Sequence, residues 1–170
     1  MTDLREWQLA FLEQARSDWY AYQKIQEPTW PACHQLHFLQ MATEKLSKAL
    51  LIGGELNLER VTQSHAAFVK FLRVVSHNHN LQAELSINKS QLRALFMQFL
   101  PIAREIEALA PALAQDGPNP EYPWLDKLGH VCIPTKHSFP QTQLLQSPQG
   151  AKLLNYVRYF LVEFERLFLS

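Results

Sequence analysis

This chain lacks an excess of either charge. Lys plus Arg number 16 and Asp plus Glu number 16. No global field draws it to a polyanion, and only a local basic patch is open to that use. It is also short of cysteine. Cys33 and Cys132 are the whole supply, too few for the disulfide framework of a small secreted domain. The opening MTDLREW carries charges where the apolar segment of a secretory leader would sit. These features point to a reduced, cytoplasmic setting. No apolar run reaches the length of a bilayer span, so no membrane partner is expected. Internal repeats and low-complexity segments are missing. So are a Gly-rich phosphate loop and a nucleophile elbow. The helical carboxylates do not show the paired spacing of a di-iron bundle. No cofactor and no metal are expected.

What is present is helical periodicity. The 170 residues are 47% hydrophobic and 19% charged, an ordinary globular composition sufficient for one domain, 1–170, with a real core. The stretch Pro31–Leu51 organises it. Pro31 suits the first turn of a helix and Gly53-Gly54 suit the exit. Leu39, Ala42, Leu46, Ala49 and Leu50 fall on one face, and His37, Gln40, Glu44 and Lys48 on the other. A helix before it starts at Thr2 or Asp3, with Glu6 at capping-box spacing. Leu4, Trp7, Phe11, Leu12, Ala15, Trp19 and Tyr22 share its apolar face, and it stops before Pro28. A third helix is expected over Asn57–Val75, with His65 on its apolar side, and a polar turn follows at Ser76–Asn80. A fourth runs from Asn88 or Ser90 to Leu113, kinked or broken at Pro101. From Asp116 to Gln146 the periodicity vanishes. That loop is rich in Pro, carries Tyr122, Trp124 and Phe139, and is expected to pack on the helices, with room for a short hairpin around Gly129. The last helix starts at Ser147-Pro148. Leu153, Val157, Phe160, Leu161, Phe164 and Phe168 form its stripe. The fold class is therefore all-α: an up-down bundle of about five helices with a long Pro-rich loop before the last.

The polar residues admit two uses each. Asp18 projects into the apolar face of the first helix, where an unpaired carboxylate is expensive. It is a hydrogen-bonded structural residue or a site residue. The stripe of His37, Gln40, Glu44 and Lys48 is a plain solvated face, or a ligand-facing groove with Asp18 and His79 near it. Cys33, His34 and His37 form one loose metal-like group, and His130, Cys132 and His137 another. Neither has the fourth ligand or the spacing of a recognised zinc site.

Helices one and two resemble the HEPN domain family. The matching residues are Ala15-Arg-Ser-Asp18-Trp19-Tyr-Ala21 and Gln40-Met-Ala42-Thr-Glu44-Lys45-Leu46-Ser-Lys48-Ala49-Leu-Leu51. Their family counterparts look like A-x-x-D-L-x-x-A and Q-Q-A-A-E-K-A-L-K-A-L-L. His79-Asn80-Leu81 sits where many members have H-D-L. Glu121-Tyr122-Pro123 sits where some have R-Y-P. The likeness covers about half the chain in pieces, with motifs that any helix could favour. It implies an up-down bundle, often homodimeric, and a place in bacterial toxin–antitoxin or other conflict systems. Active members are metal-independent ribonucleases that pair an Arg with a His near the start of a late helix, in two copies across a dimer interface. Arg73 and His79, with five residues between them, fit the spacing but not the place. Asn80 and Glu121 depart from the family's carboxylate and guanidinium. Two functions follow from the resemblance. The first is a non-catalytic bundle that dimerises and binds a partner protein, a nucleotide or RNA. Asp18, His37, Gln40, Glu44, Lys48, Asn80, Glu121 and Tyr122 are its candidate ligand residues. The second is a ribonuclease using Arg73 and His79.

Overall fold

Helix α2, Ala32–Ile52, is the axis of the fold. It is described in a computed structural model that covers residues 3–26, 29–54 and 58–170, with Leu58 by its backbone alone. The expected boundaries at Thr2, Pro28 and Asn57 lie outside the described residues. Before α2 comes α1, Leu4–Lys24, capped by the Asp3 carboxylate, which accepts from the Arg5 N–H. Gln8 donates to the Ala49 carbonyl at 3.0 Å and Lys45 meets Asp18. Early α1 thus faces late α2, the pairing of an antiparallel helical hairpin.

The expected third helix is two. Leu58–Gln63 is α3 and Phe68–Val75 is α4, with residues 64–67 between them non-helical. His65 lies in that break, not in a core stripe, and its side chain is 46% exposed. Helix α4 has no side-chain cap of its own. Glu107 reaches across and accepts from the Val69 N–H at 2.7 Å, so a carboxylate from elsewhere stands at the positive end of the helix. The polar turn expected at Ser76–Asn80 is the lead into another helix, α5, His79–Glu84, capped by Asn78.

The expected fourth helix is three. These are α6, Lys89–Met97, α7, Leu100–Glu107, and α8, Pro111–Ala114. Asn88 and Gln91 form a reciprocal capping box at the start. The break falls at Gln98-Phe99, just before Pro101, which cannot donate to a continuous helix. The stretch 116–146 is not loop throughout. It holds a hairpin of β1, Trp124–Leu125, and β2, Val131–Cys132, antiparallel with Trp124 opposite Cys132 and Leu125 opposite Val131. A single 3₁₀ turn, Pro134–Lys136, and helix α9, Pro140–Gln146, follow. Proline at the first turn makes α9 a helix that a Pro-rich composition conceals. The last helix is α10, Pro148–Phe168, capped by Ser147.

The core is aromatic where α4, α6 and α10 meet. Phe71, Phe96, Phe99, Phe160 and Phe164 are fully buried, each worth about 1.5–3 kcal/mol of transfer from water. Trp124 and Phe139 bring the 116–146 segment onto this core at 8% and 3% exposure. No described helix is long and apolar enough to cross a membrane.

Candidate functional site

Three of the four residues of the α2 polar stripe are buried, and His37 is partly exposed. Gln40, Glu44 and Lys48 are 3%, 7% and 5% exposed. The i,i+4 spacing brings Lys48 Nζ to 2.7 Å from Glu44 Oε1. Lys48 also donates to the Thr62 carbonyl at 2.8 Å. Gln40 Nε2 donates to Glu44 Oε2 at 2.7 Å, and His65 Nδ1 lies 3.2 Å from the same oxygen. Both carboxylate oxygens are therefore engaged, and the ammonium also lies 5.9 Å from the Phe11 ring. A charge pair this deep needs such bonds to offset its lost hydration. Chemically the knot is a tether. It ties the end of α3 and the break after it onto α2. Sequence periodicity placed these residues correctly on one face. It missed what covers that face, because Thr62 and His65 are remote in the chain.

Asp18 forms a separate pair. It is 7% exposed, receives a bond from Gln14 at 3.2 Å and meets Lys45 Nζ at 2.5 Å. The partner that a carboxylate in an apolar face requires is thus Lys45, and no bond of Asp18 reaches Gln40, Glu44 or Lys48.

His37, Glu121 and Tyr122 do come together. His37 Nδ1 stands 3.8 Å from Glu121 Oε2, with both side chains about one-third exposed or less. Asn119, itself buried, accepts from the Glu121 and Tyr122 N–H groups at 3.0 and 2.7 Å and fixes the turn. The Tyr122 hydroxyl bonds to the Glu121 carboxylate, and that bond with the nearby charge pushes its pKa above the usual 10.0. The trio joins the start of the 116–146 segment to α2.

Arg73 and His79 are both exposed and flank one turn. No hydrogen bond or ion pair joins them among the described residues. The Arg73 carbonyl instead accepts from Ser76 Oγ at 2.7 Å and lies 2.9 Å from His77 Nδ1. The neighbours of His79 are tied to α10 rather than α2. Asn78 and Asn80 donate to the Leu167 carbonyl at 3.3 and 3.0 Å, satisfying one of the carbonyls a helix end leaves open. Asn80 is thus a clamp on the end of α10.

Among the described residues no group of three or more His, Cys, Asp or Glu is placed to hold a metal ion. Cys33 is buried and both cysteines are free thiols. His130 pairs with Asp126 at 3.2 Å, and His137 packs edge-on against Trp124 and Phe139.

One surface feature escaped the sequence reading. The period-two alternation of the hairpin turns Trp124 and Cys132 inward and Leu125 and Val131 outward. Leu125, Leu128 and Val131 are 62%, 81% and 68% exposed, with Tyr122 and Ile133 beside them in sequence at 56% and 43%. Asp126 closes the turn by accepting from the Leu128 and His130 N–H groups, both at 2.8 Å. Those bonds hold its carboxyl below the ordinary 3.8. Gly129 takes the left-handed conformation, φ +83°. The signal in the sequence was Leu125 and Val131 flanking a Gly turn that also holds Leu128, next to the exposed Lys127 and His130.

Compared with protein-family models, with curated proteins and with solved structures, the chain finds no match.

Proposed function

We propose that this protein is a non-catalytic, HEPN-like helical bundle that acts by self-association, with the β1–β2 hairpin at the centre of the dimer interface. The observation that carries the reading is the outward cross-strand pair Leu125 and Val131 on a two-stranded ribbon, with Leu128 exposed in its turn. Exposed apolar clusters of this kind mark interaction surfaces, and a two-stranded ribbon has open edges that pair with another strand. A second copy is the fitting partner, because a two-fold contact needs only one self-complementary patch. The zero net charge of the chain sets up no general repulsion between copies. A stable interface takes about 800 Å² from each partner, so the hairpin is its anchor and neighbouring helices complete it.

The non-catalytic part is supported by the bonds already described. Both oxygens of Glu44 are taken by neighbours, and Arg73 and His79 share no bond. The bundle topology and a role in a conflict system, with a partner protein, nucleotide or RNA as further ligand, rest on the HEPN resemblance alone. Light scattering on the purified chain tests the proposal. Wild type is expected at twice the monomer mass, and the Leu128→Asp, Val131→Lys double variant at the monomer mass with unchanged circular dichroism. A wild type that stays monomeric at high micromolar concentration would sink it.

A further inference from the structure

The outer face of α10 carries a groove that the hairpin proposal does not use. It lies between α10 and the end of α5, encloses about 390 Å³ and is lined by Glu84, Leu85, Lys152, Asn155, Tyr156 and Tyr159. That volume falls within the range of small-molecule sites. Four of its residues stand at i, i+3, i+4 and i+7 of α10 and so share one face. The body of the groove is apolar, with Leu85 on the α5 side and two tyrosine rings on the other. Tyr156 is held rigidly. Its ring centroid lies 5.1, 5.9 and 5.9 Å from those of Phe96, Phe99 and Phe160.

The polar groups of the groove divide into committed and free. Glu84 is committed. Arg166 grips it with two bonds of 2.7 and 3.0 Å, and the Tyr159 hydroxyl bonds to it as well. This pairing holds the carboxyl below its ordinary range. Arg166 also donates to Glu163 at 2.8 Å, so the three groups together keep one negative charge, and an incoming anion depends on Lys152 to offset it. Lys152, Asn155 and Tyr156 are free. None makes a side-chain hydrogen bond or ion pair among the described residues, and none has a polar atom shut away from solvent. All three can donate: an ammonium, an amide and a phenol. Burial raises the pKa of the Tyr156 phenol, so its proton stays on at neutral pH. Three unspent donors, one of them charged, beside an apolar wall call for an oxyanion carried on an apolar body.

We propose that the α5–α10 groove binds a small aromatic anion, its carboxylate or phosphate received by Lys152, Asn155 and Tyr156 and its ring laid against Leu85 and Tyr159. The hydroxyl of Tyr159, spent on Glu84 and Arg166, leaves its ring as the contact. A bare inorganic anion gains nothing from that wall, and a neutral aromatic leaves the ammonium unanswered.

Titration calorimetry with phenyl phosphate, phenylacetate and benzyl alcohol on the full chain tests this. At least one of the two anions is expected to bind saturably and at least about tenfold tighter than the alcohol, as one charge-assisted bond implies. The anion that binds better names the headgroup. Lys152→Gln is expected to lose that about tenfold advantage, and Asn155→Ala part of it. Both positions are exposed, so the fold survives, and circular dichroism checks it. Failure of both anions to bind, equal binding of the alcohol, or unchanged binding in Lys152→Gln would each overturn the proposal. The light-scattering result on the hairpin is independent of all three.

Discussion

Glu44 and Lys48 show how one i,i+4 pair changes meaning with its surroundings. On an exposed helix such a pair contributes about 0.3–0.5 kcal/mol. Here both side chains are under one-tenth exposed, and removing one partner strands a buried charge. Glu44→Leu is expected to lower the unfolding free energy by about 3–5 kcal/mol. The Glu44→Leu, Lys48→Met double variant is expected to recover most of it, since neither charge then needs hydration. Urea denaturation of the three chains measures this, and a double variant as unstable as the single one would contradict it. Glu107 gives a pH-dependent counterpart. Burial pushes its carboxyl above the ordinary 4.5, outweighing the N–H groups of Val69 and Phe68 that pull it down. A carboxyl raised in the folded state stabilises the fold while protonated. That contribution is complete below pH 4.5 and is lost as the pH climbs through the raised value. Glu107→Gln keeps an acceptor for the Val69 N–H without the charge. It is expected to melt above wild type at neutral pH, with the gap closing on acidification below 4.5. A gap that stays constant with pH would refute the assignment.

Between elements, the corner from α9 to α10 leaves no room for an added methyl group. Ser147 is its single connecting residue, with its hydroxyl donating to the Leu144 carbonyl at 2.6 Å and accepting from the Gly150 N–H at 3.1 Å. A Cβ on Gly150 would lie 2.3 Å from the Leu144 carbonyl oxygen and 2.7 Å from Leu145 Cα. Those are backbone atoms, so the two helices must part. Alanine gains about 1 kcal/mol of helix propensity over glycine, but overpacking of this sort costs about 1–3 kcal/mol. Gly150→Ala is expected to be net destabilising by thermal denaturation. Gly54→Ala, where an added Cβ meets nothing within 4 Å, is the matched control and is expected to be near neutral. Equal melting of the two variants would show that α9 is free to shift.

For the molecule as a whole, what matters is which groups the packing brings together. His37 of α2 meets Glu121 from beyond α8, and Asn80 of α5 meets the end of α10. Arg73 and His79 gain no such mutual contact. Labelled RNA incubated with the chain is therefore expected to remain intact, with wild type and the His79→Ala and Arg73→Ala variants alike. Cleavage by wild type that vanishes in both variants would restore the ribonuclease reading.

Local signals were legible because they depend on neighbours in the chain. The apolar stripes of α2 and α10, that of α1 from Leu12 to Tyr22, the Asp3 and Ser147 caps and the break before Pro101 could all be read from spacing, whereas Leu4 and Trp7, expected on the α1 stripe, are 47% and 37% exposed. The split of the expected third helix, the separate α8 and the helix α9 could not. His65 fits a helical period, yet a non-helical break places it beside Glu44, and the single proline that starts α9, Pro140, looks like loop composition. The sequence by itself determined a helical chain and which face of each long helix is oily. Only tertiary packing decided that most of the polar face of α2 would be buried as well. Burial of a charge depends on a partner supplied from afar, and periodicity carries no information about distant partners.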